Sequence, residues 1–207
     1  KIEGKPSKIV SSTETVSNLP HFHQKMEDYV QRSAAIGENM FRFSLDFARL
    51  SPEAGEFNEG LMADYVKALA LIKARGMEPM LAIYHWPMPR YLLTLDRDGN
   101  IKAGGWEHPE VQNHFRLYVQ NVVEYLSNED KVRVALKDAG LEKEGQDKFL
   151  AEGLVKYFLS INEPTSILFP GYLAGIFPPF KKGNLFAFNK VLGELVEAHD
   201  AAQGEIK

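Results

Sequence analysis

The chain contains no cysteine. That excludes disulfides, thiolate metal sites and thiol catalysis, and it suits a reducing compartment, so the cytoplasm is the expected location. No apolar run approaches the ~18 residues of a membrane span. Neither sign of charge dominates: 24 Lys and Arg stand against 28 Asp and Glu, for a net charge of −4. This mild acidity disfavours a dedicated nucleic-acid binder. Internal repeats and low-complexity tracts are missing as well. The first residue is Lys1 rather than Met, and a removed signal peptide is compatible with that.

What remains is ordinary globular composition, with 44% apolar residues in 207. That is ample for the core of one domain covering 1–207. Residues 1–20 show no period. Residues 24–36 read as a helix closed by Gly37. The run from Met40 to Leu50 opens as a strand, with Arg42 and Ser44 among apolar positions. Asn58 caps a helix carrying Leu61, Tyr65, Leu69 and Ile72, and Gly76 ends it. Residues 78–86 are nearly all apolar, as a strand buried on both faces should be. The stretch 92–106 reads as a Gly/Asp-containing loop. Pro109 suits the first turn of a third helix, lined by Val111, Phe115, Tyr118, Val122 and Tyr125. Residues 155–162 read as another buried strand, and 186–202 as a last helix. Alternating helices and strands predict βαβ units, hence an α/β fold with a parallel sheet. In the segment 127–154, 12 of 28 residues are charged, which predicts a solvated helical excursion.

In parallel α/β folds ligands sit at the carboxyl ends of the strands. Those ends carry Arg42, then His85 and Trp86, then Asn162 and Glu163. Such a set suits a sugar: an indole offers a flat apolar platform, and an imidazole and an amide hydrogen-bond hydroxyls. Glu163 becomes a general acid if burial raises its proton affinity.

The blocks FRFSLDFARLSP, IYHWPMPRYL, GGW (104–106) and FLSINEP, in this order and spacing, resemble glycoside hydrolase family 1, the β-glucosidase and β-galactosidase family. IYHWPMP and GIFPP (175–179) are most similar to its archaeal-type branch. The resemblance covers roughly residues 21–203. It implies a (β/α)8 TIM barrel, of which strands two to four and their helices lie in this chain. It also implies retaining hydrolysis of β-linked sugars, with a small-molecule β-glycoside or oligosaccharide as substrate. Matched position by position, Glu163 falls on the acid/base and Asn162 on the residue that binds the 2-hydroxyl. His85 and Trp86 fall on glycone contacts, and Arg42 on the arginine that holds the nucleophile. Residues 1–4 resemble the tail of the first-strand motif, with Lys1 in place of its glutamine. Phe47 replaces a usual Trp, and Asp46 precedes it.

The resemblance implies no metal or organic cofactor. His21 and His23 resemble a structural His-aromatic-His element rather than a metal pair. His108 and His114 read as helical residues too far apart for one face. Tyr172, Phe177 and Phe180 read either as an aglycone wall or as loop packing. The family's second carboxylate belongs to a Thr-Glu-Asn-Gly type motif that these 207 residues do not contain. The expectation is therefore that the chain supplies the acid/base half of a site and needs the other half of the barrel or self-association. A sugar-binding pseudoenzyme and a transglycosylase on the same scaffold are the alternatives. The 127–154 segment is expected on the face opposite the site, affecting assembly or stability rather than sugar preference.

Overall fold

The computed structural model of the chain describes residues 22–99 and 101–206. The Lys1–Gly4 remnant and His21 lie outside them, as does the side chain of His23.

Three parallel strands form the central sheet, in the order β1 (Met40–Ser44), β2 (Glu78–Tyr84), β5 (Tyr157–Ile161). Register runs from Met40↔Glu78 to Ser44↔Ala82 on one side of β2 and from Met80↔Tyr157 to Tyr84↔Ile161 on the other. Two further bonds extend the ladders at the carboxyl ends, from Leu45 N–H to the Ala82 carbonyl (2.8 Å) and from Asn162 N–H to the Tyr84 carbonyl (2.9 Å). The residues that follow each strand therefore meet at one rim.

Helix α3 (Glu59–Ala74) packs on β2 and α8 (Leu185–Ile206) on β5, while α1 (Phe22–Ala35) lies against α3, and α4 (Val111–Ser127) against α3 and α8. Helix α3 starts where the Asn58 side chain accepts from the Leu61 N–H at 3.0 Å, satisfying one orphan donor of the first turn. It stops at Gly76, whose φ of 79° is costly for a residue with a Cβ. Its buried residues include Leu61, Met62, Tyr65, Val66, Leu69 and Ile72, the helical spacing read from the sequence. Beneath the rim lies an aromatic cluster. Phe47, in the short helix α2 (Phe47–Leu50), stacks on Tyr118 at 4.4 Å and meets Phe115 edge-on at 5.9 Å, while Tyr84 meets Trp106 edge-on at 5.1 Å. The 127–154 segment forms helices α5 (Glu129–Asp138) and α6 (Lys143–Glu152). At the end of α6, Glu152 lies 4.0 Å from Lys73, which also lies 3.6 Å from Glu78, the first residue of β2. That end of α6 therefore sits at the amino ends of the strands, away from the rim.

Three expectations need correction. The stretch 92–106 is not a plain loop. It holds an antiparallel hairpin, β3 (Leu93–Leu95) and β4 (Ile101–Gly104), turned at Asp96–Gly99 where Gly99 N–H donates to the Asp96 carbonyl (3.0 Å). Leu93, Thr94 and Leu95 alternate apolar and polar, a strand signal too short to stand out. Nor does Pro109 enter the third helix. A residue before proline avoids the α region, and His108 is extended at φ −66°, ψ 133°, so α4 begins only at Val111 and His108 lies outside it. Finally, β5 is not a buried strand: Tyr157 is exposed and residues 158–160 are half-buried. Among the described residues, nothing pairs with its outer edge.

Candidate active site at the strand carboxyl ends

Arg42, His85, Trp86, Asn162 and Glu163 all lie at the rim, where direct contacts join Arg42 to Asn162 and His85 to Trp86, and the charges of Arg42 and Glu163 act on His85. The Arg42 guanidinium donates through Nη2 to the Asn162 side-chain oxygen, across the full width of the sheet. His85 Nδ1 and Ser44 Oγ are hydrogen-bonded at 2.8 Å, which fixes the imidazole beside β1. The His85 and Trp86 rings meet edge to face at 5.1 Å. Partial burial lowers the His85 pKa, and the Arg42 charge lowers it further, while the Glu163 carboxylate opposes both. The imidazole is thus biased toward its neutral form, able both to donate and to accept.

Asn162 is the buried member of the set, at 2% exposure. Its Oδ1 serves Arg42, but its Nδ2 is buried without a hydrogen-bond partner. An unpartnered buried donor is rare in folded proteins, which sets this amide apart from the rest of the rim. Glu163 differs from expectation: it is exposed, and its backbone is left-handed at φ 45°, ψ 60°. The described residues do not supply the burial that general-acid chemistry asks of it. Left-handed backbone at a residue with a Cβ costs on the order of 1–3 kcal/mol and gathers at functional sites. Pro164, which opens the five-residue helix α7 (Pro164–Leu168), fixes the chain direction directly after it.

Trp86 is also left-handed, at φ 79°, and is 38% exposed. Its carbonyl accepts from the Tyr84 hydroxyl at 2.8 Å, and that hydroxyl accepts from Trp106 Nε1 at 3.1 Å. Beside Trp86 opens a 790 Å3 cavity walled by Tyr84, Met88, Trp106, Ile167, Tyr172 and Phe177, among others; Asn162 and Glu163 lie outside its lining. Phe177 faces Trp86 edge-on at 6.1 Å. It follows a π-helical segment, Phe169–Ala174, that is held to the GGW turn by Lys181 on Glu107 (2.6 Å) and by the Tyr172 hydroxyl on Glu107 (3.4 Å). Of the three aromatic residues left open on this loop, Tyr172 and Phe177 line the cavity and Phe180 does not.

Sequence reasoning missed Ser44 as the partner of His85 and Tyr84 as the partner of Trp86. Ser44 had one visible signal, a hydroxyl inside an otherwise apolar strand. Tyr84 had none, because an aromatic residue in a buried strand is ordinary.

Parallel βα units with a cation, an imidazole, an indole, an amide and a carboxylate at their carboxyl ends define part of a (β/α)8-barrel. The sequence profile of glycosyl hydrolase family 1 matches residues 4–144, roughly two thirds of the chain, and the chain belongs to that family. The matched span includes Arg42, His85 and Trp86 and ends before Asn162 and Glu163. A coniferin beta-glucosidase of Pinus contorta is 26% identical over 175 residues, 84% of this chain and 28% of that protein. A beta-glycosidase from Pyrococcus horikoshii is 26% identical with a TM-score of 0.64, covering 87% of this chain and 34% of that one. A beta-glucosidase from Thermotoga maritima in complex with glucoimidazole shares the fold at 21% identity and a TM-score of 0.65. The chain spans under a third of the length of the curated relative and about a third of each of these two structures.

Proposed function

We propose that the chain supplies the acid/base half of a retaining β-glycosidase site. The observation that carries this is the buried Asn162 Nδ2, left without a hydrogen-bond partner on a side chain whose oxygen is held by Arg42 and next in sequence to Glu163. Asn162 donates to the sugar 2-hydroxyl, neutral His85 exchanges hydrogen bonds with the glycone hydroxyls, and Trp86 gives an apolar platform. Glu163 protonates the leaving oxygen, then takes a proton from water in the second step. A carboxylate from outside residues 1–207 attacks the anomeric carbon. The cavity beside Trp86 takes the aglycone, with Phe177 as a wall. Arg42, bonded to Asn162, holds that attacking carboxylate in register with the glycone.

The rest of the barrel, in this reading, packs on the outer edge of β5 and on the exposed apolar residues of α8. Those residues are Leu185, Phe186, Leu192 and Val196, with Phe186 at 84% exposure. Further βα units are the occupant that matches a parallel edge beside an apolar helix face. Once seated there, they also enclose Glu163.

The leaving group tests the role of Glu163. Glu163→Gln should slow hydrolysis of alkyl β-glucosides, whose leaving oxygen needs a proton, far more than that of dinitrophenyl β-glucoside, which departs unaided. Equal losses on both in kcat/KM, which reports leaving-group departure and not the second step, would remove Glu163 from the acid role. Added alcohol or sugar acceptors separate transfer from hydrolysis in the products. Binding of a glucoimidazole without turnover of any aryl glycoside would favour the sugar-binding alternative.

A further inference from the structure

We propose that Tyr84 is a positioning residue for the sugar platform: its hydroxyl, set by Trp106, pins the Trp86 carbonyl and holds Trp86 in its left-handed turn. The part that concerns sugar rests on the glycosidase reading above; the anchoring of Trp86 does not.

Trp86 has reason to leave its observed conformation. A positive φ is disfavoured for a bulky side chain, and the indole is more than a third exposed, so packing alone does not hold it. Among the described contacts, its ring meets only His85 and Phe177, both edge-on and at 5.1 and 6.1 Å. The hydrogen bond from Tyr84 to its carbonyl is the one described polar contact that fixes the backbone of this turn. Tyr84 itself has no such freedom. It is 1% exposed, its ring lies edge-on to Trp106, Phe115 and Phe47, and Trp106 Nε1–H occupies the acceptor side of its oxygen. With that lone pair taken, the phenolic hydrogen is left to point at Trp86. Burial also raises the Tyr84 pKa strongly, so the phenol keeps that hydrogen over any working pH. The GGW turn therefore acts on the rim through two hydrogen bonds, Trp106 to Tyr84 to Trp86.

The chain has two tryptophans, Trp86 and Trp106. Incorporation of 5-fluorotryptophan into the protein with its barrel completed labels both of them, and each 19F resonance is assigned by its loss in Trp86→Phe or Trp106→Phe. Tyr84→Phe keeps the ring and removes only the hydroxyl. The expected result is a shifted and broadened Trp86 resonance and affinity for a glucoimidazole reduced on the order of tenfold, a hydrogen bond's worth. Tyr118→Phe is the control. Tyr118 is equally buried and its hydroxyl donates to the Ile83 carbonyl at 2.8 Å, so its loss lowers Tm comparably while leaving the Trp86 resonance and the affinity unchanged. Trp106→Phe keeps the Tyr84 hydroxyl but frees its orientation, and it should give an intermediate loss of affinity. It also answers the question if Tyr84→Phe does not fold. A Trp86 resonance and an affinity that respond to Tyr84→Phe no more than to Tyr118→Phe would overturn the proposal. A Trp86 resonance that moves in a protein whose wild type binds no glucoimidazole would uphold the anchoring and sink the glycosidase reading instead.

Discussion

Asn162→Leu separates stability from function at the centre of the rim. Asn162 is almost fully buried, with one polar atom satisfied by Arg42 and the other unpartnered. Leucine has a similar shape and no polar atoms. The substitution loses the Arg42 bond, worth about 1.5–3 kcal/mol with a charged donor at most, and less here because Arg42 is exposed and takes water instead. It also removes a desolvated amide nitrogen whose burial costs about 1–3 kcal/mol. The two changes are of similar size and opposite sign, so stability should move by less than about 1 kcal/mol either way. Ligand binding should suffer more. A glucoimidazole at 100 times its Kd stabilises the wild type by about 2.7 kcal/mol. That increment should fall to about 1.4 kcal/mol or less in Asn162→Leu at the same concentration, because loss of one hydrogen bond raises Kd about tenfold or more. Urea unfolding with and without the ligand reads both quantities. A variant destabilised by more than about 2 kcal/mol, with the ligand increment intact, would show that the amide is a structural element and not a ligand contact.

The His85 pKa is lowered by burial and by Arg42, so the unfolded chain binds this proton more readily than the folded one. Its contribution to stability is intact above the unfolded value of about 6.5 and is lost as pH falls through the lower folded value; an imidazole NMR titration midpoint above 6.5 would contradict this. Phe47→Ala removes a ring that touches Tyr118, Phe115 and Tyr84, and should cost about 3–5 kcal/mol in urea unfolding. A cost below about 1 kcal/mol would mean that the aromatic cluster is not a packed core. Gly104→Ala places a Cβ against the Leu92 carbonyl at a φ of 93°, and both obstacles are backbone. Faster hydrogen exchange of the β3 and β4 amides is expected, and unchanged exchange would refute it.

The strands and the rim were legible because buried parallel strands are apolar runs and the rim residues are the polar ones that end them. Glu78–Tyr84 shows this most clearly, since the apolar run stops at His85. Helix α3 was legible from both ends, through Asn58 and Gly76. The hairpin at 93–104 was not, because its register depends on Gly104 meeting Leu93 rather than on any long periodic signal. The openness of β5 was hidden for a related reason: Phe158, Leu159 and Ile161 have the composition of a buried strand, and only the neighbours decide whether they are covered. At the site the residue types were readable, but their couplings were not. Ser44 and His85 are 41 positions apart, Trp106 and Tyr84 are 22, and Arg42 and Asn162 are 120. Left-handed backbone at Trp86 and Glu163 has no signature in a sequence, since neither residue type favours it.

Release of p-nitrophenol from aryl β-glucoside and β-galactoside tests the central claim most directly. It should be measured on the 207-residue chain and on the protein with its barrel completed, each with and without Glu163→Gln. The expected result is no release by the 207 residues alone and turnover by the completed barrel that Glu163→Gln impairs. Turnover by the 207 residues as a monomer, or turnover by the completed barrel that is indifferent to Glu163, would contradict the assignment of this rim as half of a glycosidase site.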